Sequence, residues 1–204
     1  MIAQSAKLIS ALARHFETAY QYTPIMISNL TRRKLLKIVH WTMLPLLIWF
    51  ALIGPPEAHA LGPWGFPLHS NLALLFVLLC LIWTGDFLWR GTATKRTPKL
   101  PGWAQQVHWW MHRLIIWGLF LIALGGFLLG LTANRVLKAG GFLPIAPPLN
   151  MKEANELIGY LHIMQFYGLV LLIGFHALFH LWRHFWLKDN ALRIMAPKRL
   201  HRFL

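Results

Sequence analysis

The sequence predicts an all-α fold, an integral membrane four-helix bundle with both termini cytoplasmic. Three observations predict it. Hydrophobic residues make up 57% of the 204-residue chain and charged residues 13%, too apolar a balance for a water-soluble domain of this size. Four apolar stretches each reach the roughly 20 helical residues that cross about 30 Å of hydrocarbon. The 20 Lys and Arg residues are also unevenly placed: all but Arg135, Lys138 and Lys152 fall in the N-terminal segment, the link between spans two and three with its flanks, or the C-terminal tail. By the positive-inside rule those regions face the cytoplasm. In a soluble protein a net charge of +14 would suggest nucleic acid; here membrane topology accounts for it, and no nucleic-acid partner is expected.

The elements follow in order. Residues 1–34 read as a cytoplasmic or interfacial extension. They lack a continuous apolar core ahead of a small-residue cleavage site, so no secretory signal is expected. Ile2, Leu8, Ile9, Leu12, Phe16 and Tyr20 can share a helical face, which allows an interfacial helix or a loosely ordered tail. The bundle domain covers residues 35–197 and a basic tail residues 198–204. Span one runs over about residues 40–61 around WTMLPLLIWFALIG, where Pro45 and Gly54 are tolerable as in many membrane helices. Span two covers about 69–90, span three 107–131, and span four 157–186 with an overhang into water. The connections are a short Pro/Gly turn at 54–67, a basic link at 91–102, and the longest link at 132–156. Trp41, Trp103, Trp109, Trp110, Trp182 and Trp186 gather at span ends as an aromatic belt. Asp86 sits one turn before Arg90, which reads as an ion pair; a proton path is the sharper alternative.

One cysteine, Cys80, excludes intrachain disulfides, Cys-ligated zinc and iron–sulfur clusters. A metal here must be held by histidine. Eleven histidines stand against six acidic residues, and an ionisable residue inside a span is costly enough to point to function. His40 opens span one at the cytoplasmic side, and His69 opens span two at the opposite side. Span four carries His162 and His176, fourteen residues apart: about 21 Å of helical rise, and a rotation roughly 40° short of four turns. Both therefore point to nearly the same side of the bundle. Because span four runs from the outer side inwards, His162 lies at the depth of His69 and His176 approaches that of His40. Two bis-histidine sites result, and haem iron, which takes an axial imidazole on each porphyrin face, fits them better than zinc with its four ligands. The expectation is two b haems, His40/His176 on the cytoplasmic side and His69/His162 on the periplasmic side. A hydrogen-bonding role between helices is the plainer alternative for any one histidine.

The other histidines carry less. His180 and His184 continue the His176 stripe towards the interface, facing headgroups, haem propionates or a partner. His108 and His112 open span three as hydrogen-bond partners, with Arg113 a candidate propionate contact; interface anchoring is the alternative. His15, His59 and His201 are assigned no role.

Residues 35–197 resemble the bacterial cytochrome b561 family. The resemblance is strongest in LHIMQFYGLVLLIGFHALFHLWRHFWLKDNALRIMAP, and extends to IVHW at His40, PLH at His69 and MHRLIIWGLFLIALGGFLLG, where His112 matches a family histidine that is not an axial ligand. The chain departs from the pattern near Trp83, where the family has a basic residue, and in its N-terminal extension. The resemblance implies axial ligands His40, His69, His162 and His176, and transmembrane electron transfer between quinone and a donor or acceptor at one surface of a bacterial inner membrane. It also includes relatives that oxidise superoxide, and the cytochrome b subunits of formate dehydrogenases and nickel hydrogenases. The expected partners are quinone, membrane lipid, and a redox subunit or a second copy of the chain. A quinone-linked oxidoreductase is one reading and a haem-bearing anchor of a larger redox complex another. A transporter or structural protein without cofactor is a third, distinguished by a colourless preparation.

Overall fold

The computed structural model describes residues 31–93, 99–139 and 142–203. The expected interfacial helix near the N-terminus, and His15, lie outside the described residues. The chain divides into two units, residues 1–36 and 37–204. In the first unit, Thr31 starts a helix: the Lys34 amide donates to Thr31 Oγ1 at 3.4 Å and the Leu35 amide to the Thr31 carbonyl at 3.0 Å, the arrangement of a hydroxyl cap.

The described elements are α1 (Arg32–Leu52), α2 (Pro55–Ala60), α3 (Gly65–Arg90), α4 (Gly102–Thr132), β1 (Leu137–Ala139), β2 (Leu143–Ala146), α5 (Lys152–Phe185), α6 (Ala191–Met195) and a 3-10 segment at Lys198–Phe203. Four of them, α1, α3, α4 and α5, are long and apolar enough to cross a membrane. Their outward side chains, such as Leu88, Leu171 and Leu178, are exposed. In a bilayer these meet lipid, while the helices satisfy their own backbone polar groups. The protein is an all-α, multi-pass membrane protein.

The boundaries differ from the expected ones for identifiable reasons. Span one ends at Leu52 rather than near residue 61, because Gly54 is extended (φ −78°, ψ 179°) ahead of Pro55 and Pro56. Proline supplies no amide and disfavours helix at the residue before it, so a separate short helix, α2, restarts with proline in its first turn. At the other end α1 begins at Arg32. His40 therefore sits about two turns inside α1, and His69 about one turn inside α3, rather than opening their helices. The extra turns carry Arg32, Arg33, Lys34 and Lys37, whose long stems let a helix continue into the headgroup layer.

Packing between α4 and α5 is close because small residues line it. A Cβ on Gly118 would meet Leu169 Cδ1 at 2.9 Å, which is how membrane helices approach without a hydrophobic drive. Leu100, Ala104 and Met111 bury Phe179 where α4 begins and α5 ends. Phe50 of α1 meets Phe76 of α3 edge to face at 5.7 Å. The long link folds as an antiparallel hairpin, β1 with β2, which the sequence reading did not foresee. At its base, Asn155 Nδ2 donates to the Leu129 carbonyl (2.9 Å) and to Thr132 Oγ1 (2.8 Å), tying the start of α5 to the end of α4. After α5, α6 docks on α1: Lys37 Nζ donates to the Ala196 carbonyl (3.2 Å) and Trp41 Nε1 to the Met195 carbonyl (2.8 Å).

Candidate functional site

An uninterrupted helix is what fixes His162 and His176. Between them α5 reads IMQFYGLVLLIGF, without proline, so both rings are held by one backbone ladder and project with nearly the same azimuth. His176 lies at the end where α4 begins. Its ring is 4.9 Å from that of His112 and 4.5 Å from that of His180, and it is within electrostatic range of His40 on α1. His40 in turn is 6.2 Å from the Trp83 ring of α3. These contacts bring the expected inner pair, His40 and His176, to one end of the bundle.

The other two expected ligands sit in distinct surroundings. His69 meets the edge of Phe50 at 5.1 Å and lies nearly parallel to Phe66 at 6.4 Å. His162 lies against the α4 backbone at Gly125 and Gly126: a Cβ on Gly125 would come within 2.8 Å of His162 Nδ1, whereas one on Gly126 would make an ordinary contact at 3.5 Å. Glycine at 125 is thus what gives the His162 ring room. A groove of about 120 Å³ opens beside it between α4 and α5, with Leu124, Leu161 and Gln165 in its lining.

In His40, His162 and His176 Nδ1 is buried with no hydrogen-bond partner, while the ring of His69 has the Ile53 backbone beside it. The four rings are half-buried on spanning helices, a setting that suits haem iron, which is held by imidazoles from facing helices. The four rings do not gather as a three- or four-ligand cluster, which a tetrahedral ion would require, whereas a bis-imidazole haem takes one ring from each of two helices.

A second constellation was only partly foreseen. Arg183 Nη1 donates to His108 Nε2 at 2.9 Å, while Nε and Nη2 bond Asp189 Oδ2 at 2.8 and 2.6 Å. Arg183 is 1% exposed, not at the headgroup surface suggested by its place near the end of span four. The available signal was spacing: Arg183 follows His176 and His180 by seven and three residues, on the same face, with Asp189 just beyond the helix end to neutralise it. Arg113 stacks on Trp109 at 3.9 Å and faces Phe87 at 5.7 Å, its Nε unpaired. Asp86 and Arg90 approach within 3.9 Å along α3, the ion pair expected from their spacing. His201 Nε2 contacts the Ala196 carbonyl at 3.2 Å, and His59 stacks on Phe66 at 4.4 Å.

Comparison with known proteins agrees with this architecture. A relative from Yersinia pestis, named probable superoxide oxidase CybB, is 28% identical over 169 residues, covering 79% of this chain and 93% of the relative. The family model described as prokaryotic cytochrome b561 matches residues 32–198, the entire four-helix region and the α6 segment. The family binds b-type haem and is associated with electron transfer across membranes. The chain belongs to the prokaryotic cytochrome b561 family.

Proposed function

We propose that the chain holds two b haems, one between His40 and His176 and one between His69 and His162, and moves single electrons between the two faces of a bacterial inner membrane. The observation that carries this reading is that all four rings stand half-buried on membrane-spanning helices, with His40 and His176 within electrostatic range of each other. Bound haem would supply reversible one-electron chemistry; the bundle contributes spacing, ligation and a low dielectric. His112, in ring contact with His176, lines the edge of the inner site, and Arg113 beside it is the candidate partner for a propionate. Both termini are assigned to the cytoplasm, following the distribution of Lys and Arg.

The exchange partner is a membrane quinone. The groove beside His162 gives a lipid-dissolved ring access to the outer site, with Gln165 as its polar group. The protein is on this reading a quinone-linked oxidoreductase, and the name of the Yersinia pestis relative supports superoxide as the electron source. A haem-bearing anchor of a larger assembly is the second reading, supported by the exposed outer hairpin as a docking surface. A particle larger than the chain or its dimer after mild solubilisation favours that second reading.

The test is haem quantification on the purified protein by pyridine haemochrome and a reduced-minus-oxidised spectrum. Two b haems per chain are expected, with His176→Ala and His69→Ala each losing one and each changing a different component of the spectrum. A colourless protein, or two haems retained in both variants, overturns the assignment.

A further inference from the structure

Beside the four proposed axial ligands stands a histidine cluster that ligates no haem on this reading, although its member His112 borders the inner site. His108 and His112 lie one turn apart on α4, and His180 faces them from α5. Ring centroids are 4.3 Å apart for His108 and His112, 5.5 Å for His108 and His180, and 5.6 Å for His112 and His180. Each residue offers one ring nitrogen, and the three nitrogens lie within 4.8 Å of one another. We infer that His108, His112 and His180 form a binding site for a first-row divalent transition ion, separate from the haem ligands.

The donor chemistry selects the ion class. Three neutral imidazoles with no carboxylate suit zinc, copper, nickel or iron and are poor for magnesium or calcium. Histidines four apart on a helix stand on one face, and a third from a facing helix completes a three-ligand site with an open fourth position. The hydrogen bonding is compatible. His112 Nδ1 contacts the His108 carbonyl at 2.7 Å, which puts the proton on Nδ1 and leaves the Nε2 lone pair to ligate; such a backbone bond is the usual support of a ligating histidine. His180 Nε2 is buried and has no partner. On His108 the ion competes with Arg183 for the ring, and Arg183 retains its two bonds to Asp189, whose charge offsets the guanidinium. Tetrahedral ligation at ordinary zinc–nitrogen lengths spaces the nitrogens about 3.3 Å apart. From separations of up to 4.8 Å, the nitrogens must close by about 1.5 Å at most to reach that spacing.

Zinc is the probe. Full-length, haem-loaded protein in detergent is incubated with zinc chloride and desalted, and zinc and haem are measured in the same sample by mass spectrometry and visible absorption. One zinc per chain is expected in the wild type and loss of that zinc in His108→Ala/His180→Ala with haem retained. His180→Gln alone weakens zinc binding by about 100-fold or more, since outer-shell changes already cost about 10–100-fold. It provides the reading if the double variant does not fold, as judged by its haem spectrum. His176→Ala loses a haem but keeps zinc, so failure of the haem assignment and failure of this one are told apart. Equal zinc in the wild type and the variants, or none in haem-replete wild type, overturns the site.

Discussion

Arg183 shows what a single side chain does here. A guanidinium that is 1% exposed survives burial because each of its three nitrogens has a partner, two of them Asp189 and one His108. Removing one partner of a buried pair costs about 3–5 kcal/mol, because the other charge is left stranded. Asp189→Asn is accordingly expected to lower the thermal midpoint of the detergent-solubilised protein by several degrees, while Lys152→Gln, which touches the exposed 4.0 Å pair with Glu156, leaves it unchanged. A second residue-scale prediction concerns Gly125. Alanine there puts a methyl 2.8 Å from His162 Nδ1 and must turn the ring, while alanine at Gly126 meets it at 3.5 Å. Gly125→Ala should lose the haem assigned to His69 and His162, and Gly126→Ala should keep both, as read by haemochrome content. At this scale the sequence was informative where chemistry was repeated and poor where a partner came from a distant segment. Eleven histidines in an apolar chain drew attention to themselves, but nothing local announces that His108, 75 positions earlier in the chain, bonds Arg183.

The elements divide the same way. The four spanning helices were legible because about 20 apolar residues without charge have few other fates. Their ends were not, since a helix stops where its capping and packing stop rather than where its hydrophobicity does: α4 and α5 extend to 31 and 34 residues by running on into polar flanks. The break after Leu52 was written in Gly54-Pro55-Pro56: the 54–67 stretch was read as a Pro/Gly turn, yet span one was carried through Gly54 to about residue 61. The β1 and β2 strands are three and four residues long, too short for alternation to register against a background of Gly and Pro. Behind them the chain is tied to the end of α4 by backbone bonds from Leu149, Asn150 and Met151 and by two side-chain bonds from Asn155. Loss of such bonds costs about 1–3 kcal/mol when the acceptors are left buried. Asn155→Ala should therefore lower the thermal midpoint while haem content stays unchanged, an outcome measured by melting followed at the haem absorption band.

For the whole molecule the proposed orientation rests on the charge distribution. With all but three of the basic residues on one set of segments, a reporter active only in the cytoplasm should work when fused after Leu204 and fail when inserted in the 137–146 hairpin; the converse would reverse the assignment of inner and outer sites. The fold class followed from composition and the family from a few motifs. The depth argument that matched His40 with His176 used nothing beyond helix rise and alternation of direction, and that pairing is part of the proposal. The outer pair depends on the same alternation, with His69 between aromatic rings and His162 against glycine.

That His162 and His176 share one unbroken rod has a mechanical consequence. The interval between the two proposed iron sites is set by a hydrogen-bonded ladder rather than by how neighbouring helices slide. A thicker or thinner bilayer is met by leaning the helix, at a cost of fractions of a kcal/mol per Å, not by stretching it. On the proposed assignment the tunnelling distance becomes a constant of the protein, so lipid composition can alter how deep each site lies in the membrane while the hop between them keeps its length.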